Sequence, residues 1–118
     1  MENINNTKPL KYFMYDASTN TEIKVNDAIE VNLNEALKIF FELTPVKGNY
    51  VGFVIDNTKI LQFMSVGVAN SYLLDIPDTD LKGSLQKTTD FEECRSALIS
   101  LYGGNTAYEI KEVTFKKW

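Results

Sequence analysis

The chain has 118 residues, of which 44% are hydrophobic and 24% charged, a composition typical of one globular domain. Histidine is absent and cysteine occurs once, so the composition excludes an imidazole base, a histidine-bearing metal cage and a cysteine cluster. Sixteen acidic residues against twelve basic ones give a net charge of −4, which disfavours nucleic acid and anionic membranes and suits a basic protein partner. We therefore expect a domain without catalytic activity.

The distribution of apolar residues along the chain indicates in which cellular compartment the protein is expected. Residues 1–16 contain no apolar run of the kind found in signal peptides. The longest uncharged stretch, residues 60–74, is too short and too polar to cross a bilayer. A lone cysteine agrees with a reducing compartment. We expect a cytoplasmic protein without a cofactor, in which residues 1–9 form a loose tail and residues 10–118 form one domain.

The first half of the domain predicts a hairpin followed by a helix. Residues 10–15 are aromatic and favour a strand, and the alternation of apolar and polar residues over 21–25 predicts its partner. Helical spacing is shown by five apolar residues, Leu33, Ala36, Leu37, Phe40 and Phe41. Asn32 and Glu35 have the spacing of a capping box at the start of this helix, and Pro45 ends it.

The second half predicts four strands, a helix and a last strand. The four strands are expected at residues 50–55, 59–66, 71–76 and 81–88. Asp90 is a favourable N-cap for the second helix, Glu93 stands three residues on, and Gly103 ends it. Cys94 lies in the apolar stripe of this helix, which indicates core packing rather than a nucleophile. Residues 108–118 favour a strand. The expected fold class is α+β, a mostly antiparallel sheet of five to seven strands with two helices packed on it.

The densest acidic feature of the chain contains Asp75, Asp78 and Asp80 within six residues. One interpretation is a docking patch for a basic partner. The other is a solvated turn between strands, because aspartate and proline favour turns for reasons of their own backbone. A calcium loop fits poorly, since Lys82 stands at the fifth ligand position and Thr89 at the place of the bidentate glutamate.

The order of the predicted elements suggests a family. An early hairpin is followed by a helix at 33–41, a strand pair at 50–55 and 59–63, a strand ending Leu74-Asp75-Ile76-Pro77, and a helix ending Leu101-Tyr102-Gly103-Gly104 before Val113-Thr114-Phe115 and Trp118. This pattern resembles the small immunity proteins of bacterial polymorphic-toxin and contact-dependent growth inhibition systems. A second immunity family, similar to the yeast cell-wall regulator domain, also shows a strand ending in Leu-Asp before a Phe-Glu-Glu helix, as at Leu74 and Phe91.

The resemblance implies a protein that binds a cognate toxin domain, of nuclease type, and blocks its active site or the access of its substrate. The candidate partner-binding residues are Asp75, Asp78 and Asp80 in the first place, then Asp56, Glu92, Glu93 and Tyr102. The alternative function is a small-ligand-binding or accessory subunit domain without catalysis. Its pocket would lie between the first helix and the sheet, lined by Phe40, Phe53, Phe63 and Met64.

Overall fold

The structure, a computed structural model, describes residues 9–56, 58–104 and 112–118. The elements in chain order are β1 (Leu10–Asp16), β2 (Thr21–Ile23), β3 (Ile29–Val31), α1 (Leu33–Glu42), β4 (Tyr50–Val54), β5 (Ile60–Ser65), β6 (Tyr72–Asp78), β7 (Gly83–Thr89), α2 (Phe91–Tyr102) and β8 (Thr114–Lys117). One turn of 3₁₀ helix, Val25–Asp27, joins β2 to β3. Residues 1–8 of the tail expected over residues 1–9, and the start of the last predicted strand, residues 108–111, lie outside the described residues.

The strands form one antiparallel sheet in the spatial order β2-β1-β4-β5-β6-β7-β8. The short β3 pairs with the first half of β1, and β2 pairs with its second half. The expected α+β class, the antiparallel pairing and the two helices are confirmed. The expected five to seven strands become eight within the described residues. A three-residue strand such as β3 is too short to reveal its alternation in the sequence, and it forms by pairing with β1.

Both helices begin at the predicted caps. The Asn32 side chain accepts a hydrogen bond from the Glu35 amide at 2.8 Å, and the Glu35 carboxylate accepts one from the Asn32 amide at 2.9 Å, so the capping box of α1 is confirmed. Asp90 accepts the Glu93 amide at the start of α2, at 2.9 Å. The Glu93 carboxylate instead accepts a hydrogen bond from Lys87.

The hydrophobic core lies between the two helices and one face of the sheet. Phe40 of α1 lies at its centre, with ring centroids 4.7 Å from Phe63, 5.2 Å from Tyr72 and 4.8 Å from Phe91. Cys94 is fully buried there, as predicted, and burial raises the pKa of its thiol to about 12. No helix in the described ranges combines the length and the apolar character needed to cross a membrane.

The second face of the sheet lies opposite the helices and is named the open face. Phe53, Leu61 and Ile76 point into the core, so their neighbours along each strand point to the open face. The cross-strand register places there Lys11, Phe13, Tyr15, Tyr50, Gly52, Val54, Ile60, Gln62, Met64, Leu73, Asp75, Pro77, Ser84, Gln86 and Thr88. Along β5 and β6 buried residues alternate with half-buried ones, so the open face is partly shielded from solvent.

Candidate functional site

Asp75 lies at the centre of the open face. Its cross-strand neighbours are Gln62 on β5 and Gln86 on β7, and these three residues are named the Asp75 row. The Gln86 side-chain amide donates a hydrogen bond to the Asp75 carboxylate at 3.2 Å, and the Ser84 hydroxyl is close enough to lower the pKa of that carboxyl. The carboxylate is therefore held in a defined orientation by neutral groups.

The surroundings of Asp75 make its negative charge unfavourable in the free protein. Burial raises the pKa of this carboxyl, while the hydrogen bonds from Gln86 and Ser84 act in the opposite direction and only partly offset it. Among the residues that the structure describes, no lysine or arginine forms an ion pair with Asp75. A half-buried carboxylate with only neutral partners would be stabilised by a cation supplied from outside the chain.

Trp118 lies at the β8 edge of the open face and is 62% exposed. Its backbone amide donates to the Lys82 carbonyl at 3.0 Å, which continues the pairing of β8 with β7. Its indole Nε1 donates to the Ser84 hydroxyl oxygen at 3.1 Å. Because the Ser84 hydroxyl also acts on the pKa of Asp75, the indole lies near the Asp75 carboxylate.

Three aromatic rings cover the β1 and β4 side of the open face. The ring centroids of Phe13 and Tyr50 are 6.2 Å apart, and those of Tyr15 and Tyr50 are 6.1 Å apart. The Phe13 ring lies directly over Gly52, where a Cβ atom would come within 2.2 Å of it. Glycine at this position therefore leaves room for the Phe13 ring against β4, and aromatic groups flank the Asp75 row on both sides.

A groove of about 470 Å³ lies at the end of the open face where β4 turns into β5. Val54, Ile60 and Pro77 form its floor, as a cross-strand row directly beside the Asp75 row. The 3₁₀ turn between β2 and β3 forms one wall. The remaining lining residues are Lys11, Val25, Asn26, Ala28, Asp56, Thr58, Lys59 and Thr79.

The three clustered aspartates do not form one patch. Asp75 lies on the open face, but Asp78 is 2% exposed, and its carboxylate accepts hydrogen bonds from the amides of Asp80 at 2.9 Å and Leu81 at 3.4 Å. Asp78 holds the turn between β6 and β7, so its expected role in partner binding is corrected. Asp80 is exposed in that turn, which matches the turn interpretation for this part of the segment.

Asp56 and Glu92 are exposed, and neither belongs to the Asp75 row. The Asp56 carboxylate accepts the amide of Thr58 at 2.8 Å and its hydroxyl at 3.0 Å, within the β4–β5 turn. The backbone hydrogen bond from Thr58 is the main reason why the pKa of Asp56 is lowered. Glu92 lies in the first turn of α2, on the helix side of the sheet, and Asp56 lines the groove.

Glu93 and Tyr102 are engaged inside the fold. Glu93 pairs with Lys87 at 2.7 Å and bonds to Thr89, and these two hydrogen bonds lower the pKa of its carboxyl. Tyr102 is 3% exposed, and its hydroxyl donates to the Val31 carbonyl at 2.9 Å. Burial raises the pKa of Tyr102 to about 12. The expectation that Tyr102 contacts a partner is corrected, because its side chain is inside the protein.

The pocket expected between α1 and the sheet is filled by side chains. Phe40, Phe53 and Phe63 are fully buried, and their rings pack against one another. Met64 points to the open face, since it follows Phe63 along β5. The groove at the end of the open face is therefore separated by the sheet from the place where the sequence suggested a pocket.

The sequence reasoning missed Gln62, Gln86, Ser84 and Trp118. The first two carry a signal, because each is a polar residue in the middle of a strand and directly follows a core residue, Leu61 or Leu85. The register of the sheet was needed to place them beside Asp75. Trp118 meets Ser84 only because β8 pairs with β7.

The fold defines the class of this protein as α+β: the described residues form two helices on one face of an eight-stranded antiparallel sheet. Comparison of the chain with protein-family models, curated proteins and solved structures finds no significant match. In the described ranges, no three side chains of the metal-binding types converge. The functional argument therefore starts from the open face and from Asp75.

Proposed function

We propose that this protein is an immunity protein that binds a cognate bacterial toxin domain in the cytoplasm of the producing cell. It blocks the active site of the toxin or the access of its substrate. The contact is made through the open face, with Asp75 at its centre. The observation that carries this proposal is the half-buried Asp75 carboxylate, which forms no ion pair with a lysine or arginine among the described residues, on a sheet face that neither described helix covers.

A basic partner is favoured by the charge at Asp75 and by the charge of the whole chain. An arginine or lysine placed against Asp75 stabilises the carboxylate and forms charge-assisted hydrogen bonds with it. The net charge of −4 accelerates encounter with a basic protein. Nuclease toxins hold their substrate through cations that contact phosphates. An acidic binder therefore competes for the groups that nucleic acid needs.

The aromatic residues around Asp75 supply the apolar part of such an interface. Tyr15 and Tyr50 lie on one side of the Asp75 row, and Trp118 lies on the other. Tyrosine and tryptophan are enriched among the residues that dominate binding energy, because they bury large areas at low conformational cost. The sheet holds these side chains in place before the partner arrives, which reduces the ordering cost of binding.

The proposal is tested by replacing Asp75. We expect the gene immediately upstream to encode the toxin domain, and the dissociation constant is measured by calorimetry with an inactivated form of that domain. Asp75→Asn should weaken binding by about 2–5 kcal/mol, roughly 30-fold to several thousandfold, because the partner's cation then loses its counter-charge in a desolvated contact. Glu92→Gln is the matched control, since it also removes one acidic charge, but from an exposed residue on the helix side. It should change binding by less than about 0.5 kcal/mol.

The same variants are compared in cells that produce the active toxin domain. The wild type and Glu92→Gln should protect growth, and Asp75→Asn should protect at lower toxin levels only. Equal affinities for the wild type and Asp75→Asn would contradict the contact at Asp75. Weakening by Glu92→Gln alone would place the contact on the helix side. A wild-type protein that neither binds nor protects would show that the proposed function is wrong.

A further inference from the structure

We infer that the groove beside Asp75 takes one aromatic side chain of the same partner, next to the cation that pairs with Asp75. This inference rests on the proposed function and adds a second anchoring point of different chemistry. The groove is defined by its floor, Val54, Ile60 and Pro77, and by the 3₁₀ turn that forms its wall.

The distance between the two anchoring points is set by the sheet. Asp75 and Pro77 are two residues apart on β6 and share the open face, so they are separated by about 7 Å. The register places Ile60 across from Pro77 and Val54 across from Ile60. Alternate side chains of an extended segment have the same spacing of about 7 Å. A loop or strand of the partner can therefore place one residue at Asp75 and the next but one in the groove.

The chemistry of the groove favours an aromatic anchor. Its floor is apolar and half-buried, and Val25 in its wall is 51% exposed, so an apolar side chain would remove existing apolar surface from water. Lys11 and Lys59 also line the groove, which disfavours a second cation there. Tyrosine and tryptophan combine a large apolar ring with one polar atom that can bond to the polar rim. The volume of about 470 Å³ is ample for such a ring.

The two neighbouring subsites have opposite charge preferences. Asp75 prefers a cation, and no described cation pairs with it. The groove is lined by two lysines and one carboxylate, that of Asp56, whose charge interacts with Lys59, so its described lining carries a net positive charge. A partner that presents a basic residue and an aromatic residue about 7 Å apart matches both subsites, whereas two adjacent basic residues match only the first.

The test replaces one floor residue by lysine. Ile60→Lys places a charge in the groove and fills it, and it should raise the dissociation constant of the toxin domain at least about 30-fold, the effect of losing a dominant anchor. The matched control is Val68→Lys. Val68 is 62% exposed in the β5–β6 turn, at the opposite end of the sheet, and the substitution gives the same change in net charge. Its dissociation constant should stay within about twofold of the wild type.

A second variant distinguishes the loss of a contact in the groove from the loss of folding. Val25→Lys changes only the exposed wall, and it should also raise the dissociation constant, at least about fivefold, while the thermal unfolding midpoint stays near that of the wild type. In the partner, the aromatic residue next to the cation that binds Asp75 is replaced by alanine. Ile60→Lys should then have little further effect on the dissociation constant, because both substitutions remove the same contact.

The outcomes separate this inference from the proposed function. If Asp75→Asn weakens binding but both groove variants bind as the wild type, the groove is not an anchoring site and the proposed function stands. If Ile60→Lys changes only self-association of the purified protein, measured by light scattering, the groove binds a second copy and the inference is wrong. If the wild type does not bind the toxin domain, both are wrong.

Discussion

Replacing Asp16 by alanine should destabilise the protein by about 2–6 kcal/mol. Asp16 ends β1 and is 1% exposed. Its carboxylate accepts four hydrogen bonds, from the amides of Ser18 at 2.9 Å, Thr19 at 3.3 Å and Thr44 at 2.9 Å, and from the Asn49 side-chain amide at 3.0 Å. One side chain thus ties the β1–β2 turn to the segment between α1 and β4.

The expected loss of stability depends on whether each of the four donors finds another hydrogen-bond acceptor when the carboxylate is removed. The amides of Ser18 and Thr19 belong to exposed residues, so water replaces the carboxylate at little cost. The Thr44 amide is partly buried, and Asn49 is 1% exposed. Each donor left without a partner there costs about 1–3 kcal/mol, which gives the expected range for the pair. Asp16→Asn keeps the shape of the side chain, but its NH2 group replaces one oxygen atom that accepts hydrogen bonds and faces the donors of residues 44 and 49. This substitution should lower the free energy of unfolding by about 2 kcal/mol.

The assay is urea unfolding at pH 7, with Asp27→Asn as the control, since Asp27 is exposed in the 3₁₀ turn. The control should change the free energy of unfolding by less than about 0.5 kcal/mol. An Asp16→Ala variant within about 1 kcal/mol of the wild type would refute the reasoning, because the two buried donors would then have no need of the carboxylate.

The pH dependence gives a second readout for Asp16. Burial raises the pKa of this carboxyl, but the hydrogen bonds from Thr44, Ser18 and Thr19 lower it more, so the net pKa lies below 3.8. Because the pKa is lower in the folded state, the stabilisation is present above the unfolded value of about 3.9 and is lost as the pH falls through the folded value. The wild type should therefore lose more stability than Asp16→Asn below about pH 4. Glu93 also has a lowered pKa, but it contributes to both curves, so their difference reports Asp16. Parallel curves would contradict this assignment.

Two buried groups in the core lead to further predictions. Cys94 is fully buried with a pKa raised to about 12, so a disulfide reagent at pH 8 should leave the native protein unmodified and react at once in denaturant; rapid modification of the native thiol would contradict the packing. Tyr102→Phe removes the hydrogen bond to the Val31 carbonyl and should lower the free energy of unfolding by about 1–2 kcal/mol, measured in urea; an unchanged value would mean that water satisfies this carbonyl.

The sequence correctly predicted the features that depend on residues close to one another in the chain, namely the helices and their caps. The spacing of apolar residues and the cap at Asn32 predicted α1, and the cap at Asp90 predicted the start of α2. The burial of Cys94 followed from its place in the apolar stripe of α2. These features could be predicted from the sequence because helical hydrogen bonds and caps join residues three or four positions apart.

The residues of the candidate site could be predicted from the sequence only in part. Asp75 was among the predicted residues, but Asp78 three positions later points to the other face of the same strand, where it holds a turn. Side chains in a strand alternate with a period of two, so acidic residues that cluster in the sequence need not share a surface. Whether Asp75 contacts a partner remains a prediction.

The composition and the local patterns of this sequence determined its fold class, its helices and most of its strands. The tertiary structure decided which residues surround Asp75. The register of three strands places Gln62 and Gln86 beside Asp75, and a hydrogen bond to Ser84 on β7 holds Trp118 near it. The groove is formed by segments that are up to 68 residues apart, from Lys11 to Thr79. Such pairings depend on the relative positions of distant strands, and these positions are fixed by packing over the whole sheet rather than by the residues next to each one.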